Sequence, residues 1–357
     1  MDVKDLLEFM VKKNISDIHL KADTAPLIRL NGQLISTGQA PFAAGPVKEI
    51  AYALMNESNR QHFEQEGELD FAYALDKVSR FRVNVYRQKG SLAMSLRVIP
   101  LTIKNFDELN LPAPILTKMC EAPSGLILVA GVTGAGKTTT VNAMVNFIND
   151  TMAYNVITVE DPIEFYHKDK KSSISQREVG NDTKSFGTAL KYILRQDPDA
   201  IVIGEMRDPE TIAAAVTAAE TGHLVLSTIH TMDALQTIQR IVDSYPSTQQ
   251  AQVRISLSNT LRGVIAQKLV LRADSQGRVP CTEVLVATPY IRQLIVDGKM
   301  SELATAMGRG QNEGMTTFDQ DLIRLCRSNT ITTETAVSET TRPENLMSML
   351  QGISVNM

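Results

Sequence analysis

The sequence predicts an α/β fold in two domains, the second built on a parallel sheet flanked by helices. An apolar run, Gly125–Ala130, leads into a glycine-rich loop and then into residues 140–149, which have helical spacing. From residue 155 onwards apolar runs and helical patterns alternate, as in parallel sheets covered by helices. Prolines near residue 112 break regular structure ahead of this region. We therefore predict one domain over residues 1–104 and a second, ending in helices, over 105–357.

The first domain is predicted to begin with short helices and a hairpin. Residues 2–13 carry apolar side chains on one helical face, and two more helices are expected at 46–56 and 57–66. Residues 27–35 have the pattern of a hairpin that turns at Asn31–Gly32, because Asn-Gly favours a type I′ turn.

Two alternating strands, residues 79–87 and 91–99, are predicted to pair through a turn at Lys89–Gly90. This register places Arg82 opposite Arg97. Like charges in that position repel, so we expect either an anion over the pair, with a bound triphosphate as the candidate, or two solvated arginines on an exposed face. The register is favoured because it makes one face apolar, with Phe81 opposite Val98, Val83 opposite Leu96 and Val85 opposite Met94.

The loop after Gly125–Ala130 fits the phosphate-binding pattern G-x-x-x-x-G-K-[ST]. Its glycines let backbone N–H groups converge on phosphate oxygens, and the following helix adds the partial positive charge of its N-terminus. Lys137 is expected to reach the β- and γ-phosphates of ATP, and the Thr138 hydroxyl is expected to bind Mg²⁺. The alternative is a chance glycine-rich turn, which the flanking strand and helix argue against. The predicted nucleotide-binding residues are Thr133, Gly134, Ala135, Gly136, Lys137, Thr138 and Thr139.

The elements after the loop follow from the same patterns. Asp208 and Pro209 are predicted to begin a helix as its N-cap and its first residue. The tail from Thr340 to Met357 is expected to be loosely held. Strands are predicted at 155–161, 199–205, 223–230 and 279–287, and helices at 185–195, 210–221, 233–242, 248–269, 289–297, 301–308, 316–327 and 332–338. The helix over 248–269 is expected to be broken around Asn259–Gly263.

Glu205, at the end of a predicted strand, is the candidate base or water-orienting group for ATP hydrolysis. Hydrolysis needs a carboxylate that orients water as well as a metal site. In open parallel sheets, ligands gather at the carboxyl ends of the strands, where Glu205 and the phosphate loop both lie. The alternative for Glu205 is a structural ion pair with Arg207.

A second acidic element is expected to help hold Mg²⁺. Gly204 stands where many phosphate-loop proteins have a metal-binding Asp, so the carboxylate must come from elsewhere. Glu160 and Glu164 are the candidate metal ligands, and Glu164 is also a candidate catalytic residue. Asp161, which precedes a proline, is expected either to join them or to cap a turn.

Two histidines, His223 and His230, bracket the predicted strand at 223–230. They stand at opposite ends of it, so their spacing does not suit a shared metal site. Each is a candidate sensor of the γ-phosphate or a contact to a neighbouring subunit. The alternative for each is a hydrogen-bonded core histidine at a strand end.

The composition limits the class of protein. The net charge is -4 over 357 residues, which argues against a nucleic-acid binder that works through a strongly basic surface. We expect no signal peptide, and no apolar run approaches the roughly 20 residues of a membrane span. Cys120, Cys281 and Cys326 form no zinc or disulfide pattern, so we expect reduced thiols and a cytoplasmic protein.

Together these motifs resemble the secretion ATPase superfamily that powers type IV pili and type II secretion, and within it the pilus retraction ATPases. The resemblance covers residues 1 to about 335, and the motifs occur in the family's order. They are Ser16-Asp-Ile-His-Leu20, the arginine strands Arg80-Phe-Arg-Val-Asn84 and Leu96-Arg97, Glu160-Asp-Pro-Ile-Glu164, Ile203-Gly-Glu-Met-Arg-Asp208, and Thr221-Gly-His-Leu with Ser227-Thr-Ile-His230.

The resemblance implies a homohexameric ring of subunits that each have an N-terminal PAS-like α/β domain and a C-terminal RecA-like ATPase domain. It implies that ATP binds with Mg²⁺ between the two domains and near the next subunit, and that Arg82 and Arg97 act as arginine fingers. It further implies that ATP hydrolysis powers pilus disassembly and twitching motility. The motor would be peripheral to the cytoplasmic face of the inner membrane and would engage a pilus platform protein there.

Two features favour the retraction branch and one departs from it. The chain begins at the PAS-like domain without a long extension, and it lacks the four-cysteine zinc insert of assembly ATPases. The retraction group carries the motif A-I-R-N-L-I-R-E. Here the matching segment is Tyr290-Ile-Arg-Gln-Leu-Ile-Val-Asp297, in which Val296 replaces the second arginine. An accessory role beside a paralogous retraction ATPase therefore stays open.

Two other classes compete with an ATP-driven motor. A RecA-type nucleic-acid translocase would share the ATPase core, but the acidic balance and an aromatic content of 5% oppose it. DNA-stimulated hydrolysis would support that class. A non-catalytic nucleotide-binding scaffold conflicts with an intact Lys137, Thr138 and Glu205 and with the arginine pair. An absence of measurable turnover would support the scaffold.

Overall fold

The computed structural model describes residues 3–30, 32–75, 78–99 and 102–351. The predicted turn residue Asn31 and the last six residues of the predicted tail lie outside these ranges. The chain divides into two units, Met1–Thr102 with Pro162–Tyr166, and Ile103–Asp161 with His167–Met357. In the described ranges, every helix is too short or too polar to cross a lipid bilayer.

Over its described residues, the N-terminal unit is an antiparallel sheet of six strands with three helices. The strand order is β3-β2-β1-β6-β5-β4. The helices bury one face of the sheet, where Leu7 and Phe63 pack with Phe81, Val83 and Leu96. The elements are α1 (Val3–Lys12), β1 (Asp17–Lys21), β2 (Leu27–Leu30), β3 (Gln33–Ser36), α2 (Ala44–Leu54), α3 (Glu57–Glu66), β4 (Glu68–Leu75), β5 (Ser79–Gln88) and β6 (Ser91–Ile99).

The register predicted for the pair β5 and β6 is confirmed. Arg82 lies opposite Arg97, and the three predicted apolar pairs face one another. Lys89 and Gly90 form the turn with φ of 50° and 75°, the left-handed backbone that a two-residue type I′ turn requires. The alternation of apolar residues therefore fixed the pairing, because a slip by one residue would expose the whole apolar face.

The second unit contains a sheet of seven strands in the order β13-β12-β7-β11-β10-β8-β9. All neighbouring strands are parallel except β12 and β13, which are antiparallel. The strands are β7 (Gly125–Ala130), β8 (Asn155–Glu160), β9 (Ser173–Glu178), β10 (Ala200–Ile203), β11 (Leu224–Ile229), β12 (Leu261–Leu271) and β13 (Arg278–Val286).

Helices cover both faces of this sheet. Successive residues of β7 enter opposite layers, with Leu126 and Leu128 in one buried cluster and Ile127 and Val129 in the other. Because both faces of the sheet are buried, its strands have apolar runs without alternation. The helices are α4 (Ala113–Cys120), α5 (Lys137–Thr151), α6 (Phe186–Ile193), α7 (Pro209–Glu220), α8 (Ala234–Asp243), α9 (Gln250–Thr260), α10 (Pro289–Asp297), α11 (Met300–Arg309), α12 (Phe318–Arg327), α13 (Thr333–Glu339) and α14 (Pro343–Leu350), with a short 3₁₀ helix at Gln311–Glu313.

Two predictions about this unit were wrong. The helix predicted over 248–269 ends at Thr260, and the rest of that range belongs to β12, which lies beside β7. The tail predicted to be loosely held contains α14, and its Leu346 is fully buried against α12 and the adjoining strands. Both errors have one physical origin, since long-range burial rather than local pattern decides these segments.

Candidate nucleotide-binding and catalytic site

The predicted phosphate loop joins a buried strand to a helix, as its motif requires. All six residues of β7 are buried, and α5 begins at Lys137. Gly136 is the N-cap of α5 and has a φ of 88°, a conformation that strains other residues. A Cβ atom there would lie 3.0 Å from the side-chain nitrogen of Gln267. The glycine is therefore needed both for the turn and for the close approach of β12.

The Lys137 side chain folds over this loop. Its Nζ donates hydrogen bonds to the carbonyl oxygens of Gly131 at 2.8 Å and Val132 at 3.1 Å. Burial lowers the pKa of Lys137, and the negative charge of Glu205 acts in the opposite direction. An ammonium has three N–H donors, so the third can serve a phosphate oxygen at the same place.

A buried glutamine on β12 braces the loop from behind. Gln267 donates to the carbonyl oxygen of Ala135 at 2.6 Å and accepts from the Thr140 hydroxyl at 2.7 Å. Both Gln267 and Thr140 are 2% exposed. The sequence did not indicate this contact, because β12 had been predicted as helix and the partners stand more than a hundred residues apart.

The structure brings Glu205 and His230 together at the carboxyl ends of β10 and β11. Glu205 Oε1 lies 3.1 Å from Nε2 of His230, and its Oε2 lies 2.8 Å from a guanidinium nitrogen of Arg207. An ionised carboxylate only accepts hydrogen bonds, so His230 donates through Nε2. The ion pair that was the structural alternative for Glu205 is therefore present. Because the Arg207 side chain is 72% exposed, that pair contributes only about 0–1 kcal/mol to stability, and its main effect is on orientation.

The space around Gly204 explains why a metal-binding Asp is not found there. A Cβ atom on Gly204 would lie 3.2 Å from the carbonyl oxygen of Val159 and 3.3 Å from Cα of Glu160. Any side chain would thus crowd the end of β8. The Thr228 hydroxyl donates to the Gly204 carbonyl oxygen at 2.7 Å and holds this turn against β11. The end of β8 carries its own carboxylate, Glu160, at the same edge of the sheet.

Glu160 fits the role of a magnesium ligand. Its side chain is 7% exposed, and its Oε1 accepts hydrogen bonds from Thr158 at 2.7 Å and from Gln176 at 3.0 Å. Both donors are neutral, so they fix the carboxylate without cancelling its charge. Among the described residues, no group of three or more His, Cys, Asp or Glu side chains could hold a metal. Mg²⁺ in nucleotide sites commonly uses one or two protein oxygens plus phosphate oxygens, and Glu160 with Thr138 in the first turn of α5 suits that pattern.

The predicted arginine fingers lie in the N-terminal unit, where both have carboxylate partners. Arg82 binds both carboxylate oxygens of Asp70, the closest at 2.6 Å, and lies 3.7 Å from Glu164. Arg97 binds Asp17 at 2.7 Å. The anions against the two arginines are therefore carboxylates of the same unit, and contact of the pair with a bound triphosphate stays a prediction. The roles of Arg82, Arg97 and Glu164 in hydrolysis stay predictions.

His223 is not part of the cluster around Glu205. It precedes β11 at its amino end, roughly 20 Å along the strand from His230 at about 3.3 Å per residue. Its Nδ1 lies 2.9 Å from the carbonyl oxygen of Ala218 and 3.1 Å from the Thr221 hydroxyl, at the C-terminal turn of α7. Within this chain His223 is therefore a hydrogen-bonded histidine at a strand end, as the alternative interpretation expects. A contact from His223 to a neighbouring subunit stays a prediction.

A cavity of 720 Å³ adjoins the phosphate loop on its β12 side. The loop residues Val132–Ala135 form one wall, and Leu269 and Phe318 are among the apolar groups of the others. Glu283 also lines it, and burial raises the pKa of that carboxyl to about 7. The volume is within the range of about 300–1,000 Å³ that small-molecule sites occupy.

The phosphate loop follows a central strand of a parallel sheet, and a carboxylate is held at the end of the next strand but one. This arrangement defines a phosphate-loop ATPase with a RecA-like core. The chain belongs to the Type II/IV secretion system protein family, whose model matches residues 2–350.

Relatives and solved structures of this family match nearly the whole chain. The type IV pilus retraction ATPase PilT of Pseudomonas aeruginosa is 41% identical over 97% of this chain and 100% of its own length. The type IV pilus ATPase PilU of the same organism is 38% identical over 98% of this chain and 92% of its own. A crystal structure of the retraction motor PilT with bound ADP matches with a TM-score of 0.88 and 42% identity, covering 98% of this chain and 100% of that one.

Proposed function

We propose that this chain is the ATP-hydrolysing subunit of a hexameric motor that retracts type IV pili. One observation carries the catalytic part: Glu205 is held by His230 and Arg207 at the edge of the sheet that also bears Lys137 of the phosphate loop. The likeness to PilT over the full length of both chains supports the pilus as the object moved. The proposed location is the cytoplasmic face of the inner membrane, against a pilus platform protein.

The residues of the ATPase unit divide the work of hydrolysis. Lys137 and the backbone N–H groups of the loop bind the phosphates. Thr138 and Glu160 would hold Mg²⁺, which supplies positive charge between the phosphate oxygens. Glu205 orients the attacking water, and His230 fixes the rotation of the Glu205 carboxylate. The cavity beside the loop is proposed to take the nucleoside part of ATP.

Arg82 and Arg97 are proposed to contribute charge from the N-terminal unit, and Glu164 to assist as a second catalytic or metal-binding carboxylate. The Arg97 side chain is 62% exposed, so its guanidinium can turn to a phosphate oxygen, and Asp17 then keeps Arg29 at 3.9 Å. Arginine fingers in other NTPases raise the rate by about 10³–10⁵. This step makes hydrolysis depend on the position of the N-terminal unit, which is how the chemistry would become movement.

A second candidate function is that of an accessory retraction ATPase, favoured by the change at Val296. In α10, Ile291 and Leu294 are buried, and Arg292 donates to the carbonyl oxygens of Ala287, Ser258 and Leu261. The motif residues that are kept therefore include those that hold α10 to the end of α9. Val296 is only partly buried, so its change alters a surface without disturbing this packing. A motor that works beside a paralogue, as the likeness to PilU also permits, would show such a change.

The catalytic part of the proposal is tested with the purified full-length chain. We expect Mg²⁺-dependent ATP hydrolysis by a particle with the mass of a hexamer, measured by phosphate release and light scattering. Lys137→Ala should abolish hydrolysis and weaken ATP binding, whereas Glu205→Gln should abolish hydrolysis and keep ATP bound. A Glu205→Gln protein with normal turnover would place the water-orienting carboxylate elsewhere, with Glu164 the next candidate.

A further inference from the structure

A continuous series of polar contacts joins the first turns of α5 to the carboxyl end of β8. Asn142 donates through Nδ2 to the carbonyl oxygen of Thr138 at 2.9 Å, and its Oδ1 lies 2.7 Å from Nε2 of His167. The backbone N–H of His167 donates to Oε1 of Gln176 at 2.8 Å, and Nε2 of Gln176 donates to Oε1 of Glu160 at 3.0 Å. All five residues belong to the second unit.

The orientation of each side chain in this series is determined by its neighbours. The Asn142 amide nitrogen faces a carbonyl oxygen, so its oxygen must face the imidazole, and His167 must carry a hydrogen on Nε2. The Gln176 oxygen accepts from a backbone N–H, so its nitrogen must face Glu160. No amide can flip without placing two like groups together. Flipping either side chain would therefore break two contacts at once.

The surroundings of these contacts favour the neutral form of His167. Asn142 is 5% exposed and Glu160 is 7% exposed. The other ring nitrogen of His167, Nδ1, is buried without a hydrogen-bond partner among the described residues. Protonating it would bury an N–H group with nothing to accept it, and burial accordingly lowers the pKa of His167 to about 4. Asn142, His167 and Gln176 thus bring no positive charge that would compete with a cation at Glu160.

We propose that Asn142, His167 and Gln176 are positioning residues that hold the Glu160 carboxylate at a fixed place relative to the Thr138 turn, so that both bind one Mg²⁺ in the nucleotide complex. This inference rests on the proposed function, because it assumes that Glu160 and Thr138 are metal ligands. Partners that orient metal ligands typically change metal affinity by about 10–100-fold when they are removed. A network that only held the loop between β8 and β9 would change stability instead.

The test measures magnesium affinity without turnover. In a Glu205→Gln background, binding of a fluorescent ATP analogue is followed as MgCl₂ is added. Gln176→Met removes the contacts of the glutamine to His167 and Glu160, and Gln276→Met makes the same chemical change on the exposed turn between β12 and β13. We expect the half-saturating magnesium concentration to rise about 10–100-fold in the first variant only. Binding of the analogue in EDTA should stay near that of the Gln276→Met protein. The thermal midpoint of the Gln176→Met protein should be lower, because the His167 N–H and the Glu160 carboxylate each lose a partner.

A second pair of variants protects the test against a folding defect. His167→Leu breaks the link to Asn142, whereas His167→Gln keeps a donor that can reach it. We expect the leucine variant to need more magnesium and the glutamine variant to recover most of the affinity. Normal magnesium dependence in both Gln176→Met and His167→Leu would overturn the assignment, as would a lower thermal midpoint without a change in magnesium dependence. If the Glu205→Gln parent itself binds the analogue without magnesium dependence, the proposed metal site fails, and this inference fails with it.

Discussion

The buried contact between Gln267 and the phosphate loop yields the sharpest structural prediction. Gln267→Leu keeps the approximate size of the side chain but removes its donor and its acceptor. The change leaves the Ala135 carbonyl oxygen and the Thr140 hydroxyl without the partners that now lie 2.6 and 2.7 Å away. Both groups are buried, so each loses its partner inside the protein.

The expected loss of stability in the Gln267→Leu protein follows from these two groups. Each buried polar group left unsatisfied costs about 1–3 kcal/mol. The Thr140 hydroxyl can turn to a carbonyl of its own helix, which places the total near the lower end, at about 2–4 kcal/mol. At about 2–4 °C per kcal/mol for a unit of this size, the thermal midpoint should fall by about 4–16 °C. The Ala135 carbonyl belongs to the phosphate loop, so part of the lost free energy should also weaken ATP binding. Each 1.4 kcal/mol lost from the ATP-bound state lowers the affinity for ATP about tenfold.

The assay compares Gln267→Leu with Gln239→Leu, which makes the same change on the exposed face of α8. Thermal unfolding and titration with a fluorescent ATP analogue are recorded for both variants. The Gln239→Leu protein should match the parent chain in both measurements. If the two variants have the same midpoint and the same nucleotide affinity, Gln267 does not brace the loop and the reasoning is refuted.

Two further predictions concern charge. Arg97→Ala should lower ATP hydrolysis by at least about 10³-fold and cost about 1–3 kcal/mol in stability, because the buried Asp17 carboxylate loses its closest cation. Asp17→Asn removes the same ion pair but keeps the arginine, so an equal loss of activity in both variants would mean that Arg97 acts only through the fold. The half-buried, neutral His167 should make stability depend on pH: its pKa is lowered to about 4, first by burial and then by Lys170, so the unfolded chain binds a proton that the folded chain does not bind. Stability from this group is complete above its ordinary pKa of 6.5 and is lost as the pH falls towards 4, by about 3 kcal/mol in total. His167→Gln should flatten the dependence of the thermal midpoint on pH in that window, and an unchanged slope would contradict the burial argument.

The fold was predictable wherever local pattern and burial agree. The phosphate loop, the register of β5 and β6 and most strands of the second sheet follow from spacing alone. The strand β12 did not, because its mostly buried residues, paired with a strand on each side, form a largely apolar run that also suits a helix. One residue held a clue, since a Cβ atom on Gly263 would lie 2.6 Å from the carbonyl oxygen of Leu285. The strand β9 is too polar to be recognised, whereas Leu69, Phe71 and Tyr73 of β4 alternate and could have revealed that strand.

The site was predictable as a set of residues but not as a set of contacts. Glu205, Lys137 and Thr138 follow from their positions relative to strands and the motif, and His230 joins Glu205 in the structure. The partners that hold these groups are absent from any local pattern. Gln267 and Gln176 reach the site from strands that the sequence did not reveal. Asp70, which pairs with Arg82, comes from a neighbouring strand and belongs to no motif, whereas Asp17, which pairs with Arg97, lies in the motif Ser16-Asp-Ile-His-Leu20.

The most direct test of the proposed motor is a count of surface pili, with twitching motility, in the source strain after deletion of this chain. The deletion strain should carry many pili that do not retract, and twitching should stop. The parent chain should restore both properties, and the Glu205→Gln chain should restore neither. Cells without pili would mean that the motor drives extension, and an unchanged strain would mean that another ATPase performs retraction without it. Either result would contradict the account.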